Sequence, residues 1–182
     1  MMNPVNLALV TRLPSLDLPQ CHLTAGCLFQ AVWNARAQQK PAAGIKDYDV
    51  FYFDEDTSWE AEDAVIKRVA ALCADLAVSV EVKNQARVHL WYERRFGVPY
   101  PQLTSARDGI DRYLVECTCV GIDIGTRELY APTGLQDLHD GILRINPKTP
   151  QPAKFLEKAL SYQSRWPWLT LEPGDVGGCM PG

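Results

Sequence analysis

Hydrophobic and polar positions divide the chain into alternating short strands and amphipathic helices. Residues 1–18 read as an irregular lead-in or a short helix, interrupted by Pro14 and Pro19. Residues 21–25 (CHLTA) predict a short strand, Gly26 a turn, and Leu28, Ala31, Val32 and Ala35 a helix, since they recur at helical spacing. A loop over 38–45, with Pro41 and Gly44, leads into residues 46–54 (KDYDVFYFD). Val, Tyr and Phe dominate that run, and acidic or turn residues close it off, which predicts a buried strand. Thr57 and Glu60 form a capping box ahead of an apolar stripe at Val65, Val69, Leu72 and Leu76.

Residues 77–82 (AVSVEV) alternate as a strand, and Asn84 is placed to cap a helix with a stripe at Val88, Trp91, Tyr92 and Phe96. Ser105 opens another helix, with Ile110, Leu114 and Cys117 on one face. Two strand-like runs follow at 119–124 and 128–131, then a turn at 132–134, a helical piece at 135–139 and a strand at 142–145. Pro147 and Pro150 precede a last helix from Pro152 to about Tyr162, and a Gly- and Pro-rich tail over 172–182 is expected to fray. No long linker divides the chain. The expectation is one domain, with a core over about 20–100 and a C-terminal extension over about 101–165.

Composition narrows the class. The 182 residues are 47% hydrophobic and 22% charged, in the range of ordinary globular chains. Lys and Arg total 18 against 22 Asp and Glu, a net charge of −4, which argues against a protein built mainly to hold long nucleic acid. Six Cys, at 21, 27, 73, 117, 119 and 179, form no Cys-x-x-Cys and mostly lie in apolar runs, so buried reduced thiols are expected rather than disulfides or zinc. No signal segment or run of about 18 apolar residues is present, so neither export nor membrane spanning is expected, and a cytoplasmic location is.

Candidate chemistry centres on Asp47 and Asp49. Residues two apart on a strand share a face, about 6.6 Å apart. Two carboxylates there repel one another unless a cation intervenes, and hard divalent ions such as Mg²⁺ prefer oxygen ligands. Asp-x-Asp alone is equally a strand edge with two solvated acids. Glu81, on the next predicted strand, is either a surface residue or a third acid. Gly26 and Cys27 open a helix, where amide groups and the helix dipole favour an anion. Arg87 falls in the first turn after Asn84, an unfavourable place for an idle cation. Two roles fit it, a grip on nucleotide phosphate or an ion pair that offsets the acidic cluster. Lys83 and His89 could simply face water. Trp33 and Trp91 fall on apolar faces, as core residues do.

The order strand, Gly turn, helix, Asp-x-Asp strand, helix, third-acid strand resembles the nucleotidyltransferase superfamily that includes DNA polymerase beta. Ala25-Gly26-Cys27 stands for its Gly-Gly or Gly-Ser element, Asp47-Tyr48-Asp49-Val50 for its paired acids, and Glu81 for its third acid. More narrowly, AGCLFQAVWN, KDYDVFYFD, EVKNQARVHLWYERRFG, APTGLQDL and LRINP resemble a bacterial family of small uncharacterised nucleotidyltransferases, over about residues 23–147. Two departures stand out: Cys27 occupies the Ser position, and the gap from Gly26 to Asp47 is long. The resemblance implies a mixed α+β fold, a polymerase-beta-like mixed sheet flanked by helices. It implies Mg²⁺ or Mn²⁺ held by Asp47, Asp49 and Glu81, and nucleotidyl transfer from a nucleoside triphosphate, ATP foremost, to an acceptor hydroxyl. Gly26, Cys27, Asn84 and Arg87 are the expected nucleotide-binding residues. The alternative is a catalytically weak nucleotide-binding or interaction protein that keeps the fold. Asp137, Arg144 and Asn146 also lie in family-like phrases, where they either brace the turn at Gly134 or line an acceptor pocket.

Overall fold

A computed structural model describes residues 3–172, so the expected frayed tail lies outside the described residues apart from Glu172. The lead-in is a helix, α1 (Pro4–Arg12), started by Asn3, whose side chain accepts from the amides of Val5 and Asn6. Strand β1 (His22–Thr24) passes through Ala25 into α2 (Gly26–Arg36), and β2 (Asp47–Tyr52) follows the predicted loop. Helix α3 (Trp59–Leu72) is capped by Ser58, which accepts from the Ala61 amide, so the cap lies one residue after the expected Thr57. Strand β3 (Ser79–Asn84) starts two residues later than its alternation suggested, because Ala77 (φ 51°) closes the preceding turn in left-handed geometry.

A 3-10 turn over Gln85–Arg87 then leads into α4 (Val88–Phe96). Helix α5 (Ala106–Ile110) has the expected Ser105 cap but stops short of Leu114 and Cys117. The remaining elements are β4 (Gly121–Asp123), β5 (Leu129–Tyr130), α6 (Gln136–Asp140), β6 (Ile142–Leu143), α7 (Pro152–Arg165) and β7 (Thr170–Leu171).

The central sheet runs β3-β2-β1-β4-β5, with β2 and β3 parallel across the α3 crossover and the other pairs antiparallel. A second, two-stranded sheet pairs β6 with β7. This is a mixed α+β architecture with a mixed sheet flanked by helices. The C-terminal half therefore completes the central sheet through β4 and β5.

One face of the sheet (Leu23, Tyr48, Val50, Tyr52 and Val82) joins Leu9, Leu13 and Val69 of the flanking helical elements in an apolar core. A second core gathers Phe29 and Trp33 of α2 with Phe155, Tyr162 and Trp166 at the C-terminal end. Helix α2 thus has Cys27 in the first core and Trp33 in the second, an amphipathic helix with apolar partners on two sides. Trp33 donates from Nε1 to the Leu138 carbonyl at 3.0 Å, and Trp166 donates to Asn34 Oδ1 at 3.1 Å, so neither buried indole is left without a partner. Asn34 in turn holds the loop before β2 through the carbonyls of Pro41 and Ala43. Cys21, Cys27, Cys73, Cys117 and Cys119 are free and buried; Cys179 lies outside the described residues. Among the described residues, no helix is long and apolar enough to cross a membrane.

Candidate active site

The apolar face of β2 fixes what the other face carries. With Tyr48, Val50 and Tyr52 buried, alternation turns Asp47, Asp49 and Phe51 to the opposite side. The parallel register sets Asp49 directly beside Glu81, and Phe51 beside Lys83. On the other flank, Thr24 opposes Asp49. Its hydroxyl donates to the Val120 carbonyl at 2.7 Å and lies 3.3 Å from the Tyr113 hydroxyl. The three acids therefore share one face, Asp49 in the middle.

Burial and like charge act together on Asp49. Its carboxyl is pushed up to about 6, first by desolvation and then by Glu81 and Asp47, while Lys83 and Lys158 pull it down. Lys83 Nζ stands 3.9 Å from Glu81 Oε2, a half-exposed pair that offsets some of the negative charge. Among the described residues, no three His, Cys, Asp or Glu side chains stand close enough together to hold a metal ion as placed. In kind, however, carboxylate oxygens on one face suit a hard divalent cation, which would offset the repulsion that Glu81 and Asp47 add to burial at Asp49. Asp47 and Glu81, on either side of Asp49, are both exposed.

A solvent-open cleft of about 810 Å³ lies over this face, lined by Asp47 and Asp49 but not by Glu81. Gly26 lines it too, at the first turn of α2, where amide groups have no intrahelical acceptor. Ala25, just before, carries φ 64° and ψ −142°, a conformation that side-chain-bearing residues rarely adopt. The sharp reversal it makes brings the start of α2 beside the acidic end of β2.

Cys27 turns the other way. Its thiol donates to the Thr24 carbonyl at 3.2 Å inside the apolar core, and burial raises its pKa strongly. Cys27 is not among the residues that line the cleft. No ligand cluster joins Cys21, His22 and Cys27, and His22 uses Nδ1 on the Gln20 carbonyl at 2.8 Å.

Asn84 and Arg87 require a correction. Neither lines the cleft. Asn84 ends β3 on the core face, where its Oδ1 accepts from the amides of Asp54 and Ala86 and its Nδ2 donates to the carbonyls of Asp54 and Asp56. Arg87 pairs with Glu62 of α3 and donates from Nε to the Thr57 carbonyl at 2.8 Å. Glu62, 5% exposed, also accepts from the Asn84 amide at 2.9 Å. The Arg87 charge is thus paired with Glu62, on the other side of the sheet from the Asp47–Asp49–Glu81 group. Because a strand residue beyond Lys83 alternates to the core side, Asn84 and its network belong to the α3 face.

The cations that do face the cleft are Lys46, Lys83, Arg112, Lys158 and Arg165. Lys158, Ser161, Tyr162 and Arg165 of α7 all line it, at the i, i+3, i+4, i+7 spacing of one helix face. Arg165 donates to Gln30 Oε1 at 2.7 Å and to the Ala43 carbonyl at 3.1 Å. Gly44 (φ +64°) packs so near it that a Cβ there would meet Nη2 at 2.7 Å. The sequence predicts this helix only to about Tyr162, and nothing in it marks the extension to Arg165 or the cleft that the helix faces. Asp137 and Arg144 pair with each other, Arg144 also bridges Glu172 at 2.6 Å, and Asn146 is buried on the carbonyls of Asp111 and Tyr113. Those three residues brace the fold outside the cleft.

A family model described as nucleotidyltransferase matches residues 11–171. No curated protein matches the chain. A solved structure described as an NMR structure that "reveals a CCA-adding enzyme head domain" is similar over 92% of this chain and 88% of its own. It is 26% identical, with a TM-score of 0.71.

Proposed function

The chain belongs to this nucleotidyltransferase family, and from that premise we propose that it transfers a nucleotidyl group from a nucleoside triphosphate, ATP foremost, to an acceptor hydroxyl with the help of Mg²⁺ or Mn²⁺. One observation carries the reading: Asp49 lies between Asp47 and Glu81 on the floor of an open cleft, with its pKa raised. Asp47, Asp49 and Glu81 are the residues that would hold the cation. When bound, it would supply charge neutralisation at the phosphoryl oxygens and a lowered pKa for the attacking hydroxyl.

The chain's own groups account for alignment and the remaining charge. Amides of the first turn of α2 face an anion at the Asp47 end. Lys46 and Lys158 add full positive charges in the same cleft, and Lys83 stands beside the acids. Transfer of this kind depends mostly on such positioning and on electrostatic stabilisation. Cys27 supports a second reading, nucleotide binding without turnover, since its side chain gives the phosphates no hydroxyl.

Incubation with ATP, GTP, CTP or UTP labelled at the α-phosphate, with Mg²⁺ and a cell extract, separates the two. Transfer leaves label covalently on an acceptor and releases pyrophosphate, and Asp49→Asn abolishes both. Tight binding with no covalent label from any of the four would favour the second reading.

A further inference from the structure

We propose that the end of the cleft walled by Trp91, Tyr92 and Tyr100, with Arg112 beside them, holds the planar ring of a nucleobase. The proposal rests on the transfer reading above and adds to it where a nucleoside lies. Strand β2 gives the cleft a direction. Antiparallel β1 sets Thr24 against Asp49, so the chain leaving Thr24 reaches the start of α2 at the Asp47 end. Gly44, Lys46 and Arg165 line the cleft with it. That end is built for anions.

The other end of β2 has a different character. Phe51 lies 6.0 Å from the Tyr113 ring, and beyond them come residues of α4 and the segment after it. Tyr92 and Tyr100 stand 4.2 Å apart with planes inclined by 33°, and Trp91 follows at 6.0 Å from Tyr92. The Arg112 guanidinium sits 5.8 Å from the Tyr100 ring centre. All four of these side chains line the cleft, and all stay partly exposed instead of closing into either apolar core. Tyr92 also packs on Phe96 at 4.7 Å, and this partly exposed group of aromatic rings with a planar cation, beside a charged floor, suits a flat heteroaromatic ring, since every base offers a π-face for stacking.

The chemistry supplies the direction of approach. In-line displacement puts the leaving pyrophosphate and the attacking hydroxyl on opposite sides of the phosphorus. With the anion-binding end at Asp47, a ring carried by the acceptor approaches from the aromatic end. The base of the donor reaches the same wall if the nucleotide extends along β2. The ligand chemistry is the same in both cases, and the experiment distinguishes the sources.

Full-length protein in Mg²⁺ is titrated with the four ribonucleosides, with ATP and with inorganic tripolyphosphate, in wild type, Tyr92→Leu, Tyr92→Phe and Arg112→Gln. The expected result is binding of at least one nucleoside that falls about tenfold in Tyr92→Leu, is kept in Tyr92→Phe and weakens in Arg112→Gln, with tripolyphosphate unchanged throughout. ATP weakening in parallel assigns the ring to the donor. ATP holding its affinity, while a nucleoside still binds to the ATP-saturated wild type, assigns it to the acceptor. If Tyr92→Leu does not fold, nucleoside-induced shifts of the Tyr92 and Tyr100 ring protons in wild type serve instead. No nucleoside binding to wild type, unchanged affinity in Tyr92→Leu, or shifts confined to other aromatic residues would overturn the proposal. Nucleoside binding without any binding of ATP or tripolyphosphate would sink the transfer reading and leave the ring site standing.

Discussion

At the scale of single residues, Asp49 and Ala25 carry the most testable chemistry. The Asp49 carboxyl sits near 6 in the fold against an ordinary 3.8, so the native state binds its proton first as pH falls. Above about pH 6 both folded and unfolded forms are ionised, and the fold bears the whole cost of the buried charge, about 1–3 kcal/mol. Between pH 6 and 4 that cost is lifted. Metal-free Asp49→Asn should therefore be more stable than wild type by that amount at pH 7.5, and the gap should close towards pH 4. Chemical denaturation at several pH values checks this; an equal gap at both ends would mean that the charge of Asp49 is not what strains the fold. Ala25 is a separate case, because its φ of 64° and ψ of −142° suit glycine. Relief of the strain outweighs the added chain entropy, so Ala25→Gly should raise stability by about 1 kcal/mol, where such a change elsewhere lowers it. A fall in the unfolding midpoint would contradict that account.

At the scale of elements, the sequence was legible wherever a local pattern decides the structure. The Val, Tyr and Phe run in residues 46–54 placed β2, and the acids two apart lie on one face, as pleating requires, while the turn expected at Gly26 falls one residue earlier, at Ala25, with Gly26 opening α2. Local pattern failed where a partner from another element decides. The sequence offers Arg87 only a nucleotide phosphate or the acidic cluster as partner, because Glu62, a helical acid 25 residues earlier, carries no mark that it will be buried beneath the end of β3. The pair ties α3, β3 and the start of α4 together. Removing Arg87 leaves Glu62 charged and dry, so Arg87→Ala should lose about 3–5 kcal/mol. Mg²⁺ should not rescue it, and nucleotide affinity in the folded fraction should stay as in wild type, since the pair faces away from the cleft. Replacing both residues by Met should recover much of the loss. Denaturation with and without Mg²⁺, beside nucleotide titration, tests all three statements, and a drop in affinity with normal stability would return Arg87 to the phosphates.

At the scale of the whole molecule, the cleft draws its charged lining from segments far apart in sequence. Its acids come from β2, while Lys158, Tyr162 and Arg165 come from α7, which is held in place by the core around Trp33 and Trp166. No periodicity within α7 announces that docking, and so the sequence showed the acids and missed most of the cations. A triphosphate bound over Asp49 would touch both halves at once. Ligand that binds only the native state adds about 2.7 kcal/mol at a hundredfold excess over its dissociation constant. Mg²⁺ with ATP should therefore raise the melting point of wild type and slow amide exchange in α7 as well as at the start of α2. Asp49→Asn should lose the melting shift. Lys158→Ala, at an exposed position, should melt slightly below wild type without ligand, because it removes a cation that eases the Asp49 charge, and should keep only part of the shift. Protection confined to α2 and β2, with an undiminished shift in Lys158→Ala, would mean that the nucleotide rests on the acids alone and that α7 closes the cleft without holding its occupant.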